Sequence, residues 1–180
     1  MKKYRSQKGF TLIELLAALL VLVVVGSIIA QILVTAFRTS KKSDSIALIK
    51  QSGNFALTEM AKTIRNAREL MTPYPCGTPS SPTTSNSLQI ISPDGRQITL
   101  SCDLTNNLLA SDSVSLIDNQ TLQLSAPCNF VCSQVSSTDL PLITISFGLQ
   151  QKVTSSFVEN VAAPSPILFT TSVTLRNLTR

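Results

Sequence analysis

Hydrophobic positions fall into three regimes along the chain. From Phe10 to Phe37, 28 residues carry one charge, Glu14, and the run LLAALLVLVVVGSIIAQILVTAF that follows it carries none. A helix rises about 1.5 Å per residue, so roughly 20 residues cross a bilayer core of about 30 Å. This run predicts a membrane-spanning helix, which satisfies all its own backbone groups in lipid. Gly26 and Ser27 mark its middle as a place for a bend or a small-residue contact. The second regime is periodic. Ile46, Ile49, Gly53, Ala56, Met60, Ile64, Ala67 and Met71 recur at spacings of three and four, the apolar stripe of an amphipathic helix. Lys50, Glu59, Lys62, Arg65 and Arg68 lie on the other side and read as a solvated face. No Pro interrupts from Phe10 to Thr72, so the two regimes predict one helix of about 60 residues.

The third regime alternates. From Thr72 to Ser87 the string TPYPCGTPSSPTTSNS predicts a loop leaving the helix. Leu88–Ser92 and Gln97–Cys102 flank Pro93-Asp94-Gly95, and Val114–Ile117 and Thr121–Leu124 flank Asp118-Asn119-Gln120; both read as hairpins. Leu142–Leu149 and Ile167–Leu175 read as longer strands, with a second loop over Asn160 to Ser165. The expected fold is α+β: a long N-terminal transmembrane-to-amphipathic helix packed on a C-terminal antiparallel sheet. The segments are a leader over 1–9, a transmembrane helix over 10–37, its amphipathic continuation over 38–72 and a β-rich domain over 73–180.

Charge refines the membrane reading. Lys2, Lys3, Arg5 and Lys8 put four of the 15 basic residues before Phe10, leaving 11 against 10 acidic residues in the rest. The net charge of +5 is thus mostly a property of the leader, and it gives little support to a nucleic-acid surface. The leader charges favour an N-terminus inside the cell and a C-terminal domain outside. A secretory signal would have an apolar core of about 7–15 residues, shorter than this run. A plain anchor accounts for the run but not for Glu14, since a charge within a span costs at least ~2.5–3.5 kcal/mol.

The string Lys8-Gly9-Phe10-Thr11-Leu12-Ile13-Glu14-Leu15-Leu16 resembles the processing site of type IV prepilins and type II secretion pseudopilins. The match includes the basic leader, Gly9 before the cut, Phe10 after it and Glu14 at the family spacing. The resemblance covers about residues 2–37. It implies cleavage between Gly9 and Phe10 by a membrane prepilin peptidase, N-methylation of the new Phe10 amine, and packing with other pilin or pseudopilin subunits. In a stack of helices, Glu14 of one subunit would pair with the Phe10 ammonium of a neighbour. Such proteins sit in the cytoplasmic membrane and then in an extracellular or periplasmic filament. Many major pilins carry a Pro about twenty residues past the cut. This chain has Gln31 and no Pro before Pro73, so a pilin-like kink is not expected. The missing Pro, the moderate length and the low aromatic content favour a minor subunit.

Cys76, Cys102, Cys128 and Cys132 all lie beyond the apolar run, as expected for two disulfides in an exported domain. Three connectivities are open; the reading favours Cys128–Cys132 and Cys76–Cys102. With no His, neither a zinc set around CxxxC nor Ser–His or Cys–His activation is available. Asp103, Asp112 and Asp139 read as turn residues. No catalytic residue, metal or cofactor is expected. The alternative is a filament-borne or membrane-anchored binding module for adhesion or DNA uptake. With Tyr74 the only Tyr and no Trp beyond the helix, and Arg96, Lys152, Arg176 and Arg180 the only basic residues there, a nucleic-acid platform is poorly supported. Asn119-Gln120-Thr121 and Asn177-Leu178-Thr179 match glycosylation acceptors, which carry little weight behind a bacterial-type export signal.

Overall fold

The computed structural model describes residues 11–71, 76–136, 139–152 and 165–176. Gly9, Phe10, the leader, most of the Asn160 to Ser165 loop, the Asn177 acceptor and Arg180 lie outside the described residues. One helix, α1, runs unbroken from Leu12 to Asn66. Nine strands follow: β1 (Glu69–Leu70), β2 (Thr83–Ser85), β3 (Ser87–Ile91), β4 (Gln97–Asp103), β5 (Leu108–Ser111), β6 (Val114–Ser115), β7 (Leu122–Ser133), β8 (Leu142–Gln151) and β9 (Ile167–Thr174). The chain divides into two units, Met1–Ser43 and Asp44–Arg180.

In the first unit every described residue from Thr11 onward is exposed. Seventeen large apolar side chains between Leu12 and Phe37 are among them. At about 1.5–3 kcal/mol each, leaving them in water forfeits more than the whole net stability of an ordinary domain, about 5–15 kcal/mol. This stretch therefore belongs in lipid or against other helices, and α1 is long and apolar enough to cross a membrane. Its hydroxyls fit that setting. Ser27 donates to the Val24 carbonyl at 2.8 Å, Thr35 to Gln31 at 2.8 Å and Thr39 to Thr35 at 3.0 Å. Each thus satisfies itself on its own helix without needing water.

In the second unit Ile49, Gly53, Ala56, Met60 and Ile64 of α1 are buried, the stripe that the period of three and four predicted. They join one core with Leu88, Ile90, Leu100, Leu109, Phe130, Ile143, Ile145, Phe147, Phe169 and Val173 from the strands. The strands form two antiparallel sheets where the sequence led us to expect one. The first has the order β1-β3-β4-β5-β6 and the second β2-β7-β8-β9.

The helix stops at Asn66, short of Thr72. Its end carbonyls find tertiary partners: Arg65 O accepts the Arg176 amide at 3.2 Å. The Arg68 amide turns instead to Ile91 O at 2.7 Å, and Glu69–Leu70 then pair with Ile91 and Ile90. Continuing the helix would forfeit this edge of the sheet.

The hairpin at Pro93-Asp94-Gly95 forms as expected between β3 and β4, with Gly95 at φ 83°, where a side chain would be strained. The second expected hairpin does not form. Val114–Ser115 pairs back onto β5 through a turn at Asp112 and Ser113, both at positive φ. Leu122 pairs with Gln151. Asp118-Asn119-Gln120 is still a turn, held by Asp118 oxygens that accept from the Gln120 amide at 3.0 Å and the Thr121 hydroxyl at 2.7 Å. It carries the chain from one sheet to the other.

The favoured disulfide pairing is also corrected. The bonds are Cys76–Cys132 and Cys102–Cys128, with Cα separations of 4.8 and 5.7 Å. Cys128 and Cys132 sit on one extended strand, about four residues' rise apart. At about 3.3 Å per residue, that is beyond the reach of a disulfide. Cys102–Cys128 joins β4 to β7 and so staples the two sheets together. Cys76–Cys132 ties the segment after α1 to β7, beside amide bonds from Gly77 to Cys132 O at 3.2 Å and from Gln134 to Gly77 O at 2.8 Å.

At Gly53 α1 packs directly on a side chain of β9. A Cβ there would overlap the ring of Phe169, which is itself stacked on Phe147 with centroids 5.4 Å apart. Gly→Ala within a helix ordinarily stabilises by about 1 kcal/mol. At Gly53 the sign should reverse, with Ala costing about 1–3 kcal/mol through overpacking; a denaturant midpoint at or above wild type for the detergent-solubilised chain would contradict this contact. Peptide mapping without reductant should recover Cys76 joined to Cys132 and Cys102 joined to Cys128. Replacing either pair with serine should lower the unfolding free energy by roughly 3–4 kcal/mol, given closed loops spanning 56 and 26 residues.

Candidate processing and assembly site

The N-terminal end of α1 is built by Thr11. Its carbonyl accepts the amides of Glu14 at 3.1 Å and Leu15 at 3.2 Å, and its hydroxyl lies 3.4 Å from the Glu14 amide. Thr11 is thus the N-cap, satisfying donors that the first helical turn leaves open. Thr11-Leu12-Ile13-Glu14 also has the order of a capping box. The sequence reading passed over Thr11, although that T-x-x-E spacing was there to find it.

Glu14 lies in this first turn. A carboxylate there is favoured by the positive end of the helix dipole. The dipole does not supply a full countercharge. Among the described residues no ion pair or side-chain hydrogen bond holds the Glu14 carboxylate. Its neighbours Leu12, Ile13, Leu15 and Leu16 are all exposed and apolar, Leu12 at 79 %. Among the described residues up to Phe37, Glu14 is the one charged group on this exposed apolar stretch. Gly9 and Phe10, which the sequence reading places next to it, are outside the described residues.

Five aspartates after the helix, Asp94, Asp103, Asp112, Asp118 and Asp139, lie in or beside turns and bends. Asp103 accepts from the Thr105 amide at 2.8 Å, the Asn106 amide at 3.2 Å and the Asn106 side chain at 2.6 Å. Asp112 sits in a turn at φ 52°, and the Asp139 amide closes a bend onto Ser136 O at 2.9 Å. Hydrogen bonds from the Asn106 side chain and backbone hold the Asp103 carboxyl below its ordinary value. The Thr121 hydroxyl does the same for Asp118, and Ser92 followed by Arg96 for Asp94. These groups are pinned in their ionised form on exposed turns, the opposite of a carboxyl raised toward neutrality for acid catalysis. Among the described residues no cluster of three or more His, Cys, Asp or Glu could hold a metal.

No curated protein and no solved structure matches the chain. Residues 4–30 match the family model described as the prokaryotic N-terminal methylation motif. That segment takes in the capping Thr11, Glu14 and most of the exposed apolar helix. The motif is typical of type IV pilins and pseudopilins and points to a structural protein rather than an enzyme; over residues 4–30 the chain is similar to the N-terminal segment of such proteins.

Proposed function

We propose that the chain is a structural subunit, of the minor class, of a type IV pilus or pseudopilus filament. The observation that carries this reading is the lone Glu14 carboxylate in the first turn of an exposed apolar helix, inside the matched methylation motif. In this reading the chain first sits in the cytoplasmic membrane with residues 38–180 outside and the basic leader inside. The leader 1–9, helix 10–37, helical continuation and β-rich domain act as separate functional segments. Gly9 presents a backbone without a side chain, which lets a peptidase approach closely.

Cleavage after Gly9 removes Lys2, Lys3, Arg5 and Lys8 and leaves an ammonium on Phe10. A single methyl on that amine keeps its positive charge. The partners are a prepilin peptidase with methyltransferase activity and the helices of other pilin or pseudopilin subunits. As helices leave lipid and bundle, the Glu14 carboxylate of one subunit meets the Phe10 ammonium of another. Within an apolar bundle an unpaired charge is costly, so the pair sets register as well as attraction.

A Glu14→Ala chain should insert in the membrane and lose its leader as wild type does. Its filament yield should then collapse, because removing one partner of a buried pair costs about 3–5 kcal/mol, more than a hundredfold in association. Processed Glu14→Ala chains assembling at the wild-type level would refute the pairing.

A further inference from the structure

A helix that crosses a bilayer meets phosphate groups at both ends, and α1 reaches the end away from the leader with a concentrated positive charge. From Leu15 to Phe37 it carries no charged residue. At about 1.5 Å per residue that stretch covers a hydrocarbon core of about 30 Å with a little to spare. Arg38, Lys41 and Lys42 come next, and the first acid after them is Asp44. The helix runs through this turn without a break, and residues 38–43 are all exposed. Spacings of three and four put the three cations on one helix face. Among the described residues no ion pair holds Arg38 or Lys42. The hydroxyls nearby turn onto their own helix, Thr35 donating to Gln31 O and Thr39 to Thr35 O.

The position of this cluster is unexpected. Lys2, Lys3, Arg5 and Lys8 hold the leader inside, and three cations just beyond the span oppose them. In the proposed processing the leader is lost, which leaves one ammonium at Phe10 against the three cations at the other end. A cluster that works against the chain's own orientation needs a compensating interaction where it lies.

We propose that Arg38, Lys41 and Lys42 form a binding face for anionic phospholipid headgroups, in the leaflet on the side away from the leader. Charge complementarity selects this occupant. The long apolar stems of Lys and Arg lie along the acyl boundary while their heads reach the phosphates. The Arg38 guanidinium can hold a phosphate through two parallel N–H bonds, and the lysines add point charges beside it. A zwitterionic headgroup also carries a phosphate, but its own cation offsets the attraction, so the face prefers lipids of net negative charge. The contact sets the depth of the helix, with Phe37 as the last residue among the acyl chains. The proposal rests on the membrane orientation of the proposed function and not on filament assembly. It concerns residues of the first unit alone.

The chain contains no Trp, so Phe37→Trp places a single indole beside the cluster. The full-length variant, recovered from membranes, is reconstituted into vesicles of equal parts phosphatidylcholine and phosphatidylglycerol. In one preparation the acyl chains of the first lipid are brominated, in the other those of the second. Bromine quenches the indole on contact, so lipids mixed at random around the helix quench equally. Brominated phosphatidylglycerol should quench at least about twofold more strongly, and high salt should reduce the difference. Adding Arg38→Gln, Lys41→Gln and Lys42→Gln should abolish it, whereas Lys41→Arg with Lys42→Arg should keep it. Equal quenching by the two lipids overturns the proposal and assigns the cations to acidic groups of another protein. A preference that survives the triple Gln substitution overturns it as well. N-terminal sequencing of the same protein reports separately on the filament reading: a start at Met1 defeats that reading and leaves the lipid preference standing or falling on its own.

Discussion

A carboxylate in the first turn of an otherwise uncharged apolar helix has to find a cation wherever water is excluded. Glu14 is that group, and much of the chain's organisation answers to it. The residues around it, from Leu12 to Phe37, are too apolar to remain in water. Lipid accepts the apolar surface but penalises the charge. A bundle of like helices accepts both, provided each carboxylate meets an ammonium. In the proposed function, the amine released at Phe10 within the matched segment 4–30 is that ammonium. Apolar surface favours association without direction, and the charge pair selects one arrangement among many.

The same helix obeys a different rule in the second unit. Beyond Asp44 its apolar residues are confined to a stripe, and that stripe is covered by strands of both sheets. Cys102–Cys128 links the two sheets, and Cys76–Cys132 fixes the segment that leaves the helix. The close approach at Gly53, where the helix accepts the Phe169 ring, locks the stripe against the second sheet.

The helix, its buried stripe and the Pro93-Asp94-Gly95 hairpin were all readable in the sequence, because each depends on short-range spacing. Glu14 was readable for the same reason, as one charge in a long apolar run. The misread features depend on partners far along the chain. The helix stops at Asn66 because Ile91 and Arg176 compete for its backbone groups. Leu122–Ser133 is one strand although Ala126-Pro127 interrupts its alternation, and its register shifts between Ser125 and Cys128 to accommodate them. That strand then separates Cys128 from Cys132 and dictates the disulfides. Thr11 was overlooked because its capping role was hidden beside the more conspicuous Glu14.

The central claim is that the chain loses its leader and presents a charged Phe10 amine to Glu14 of another subunit. Intact mass and N-terminal sequencing of the protein recovered from membranes test it most directly. The account predicts a chain that begins at Phe10 and carries one added methyl group. A chain that begins at Met1 in cells with an active prepilin peptidase, or near Gln31 after the apolar run, would contradict it.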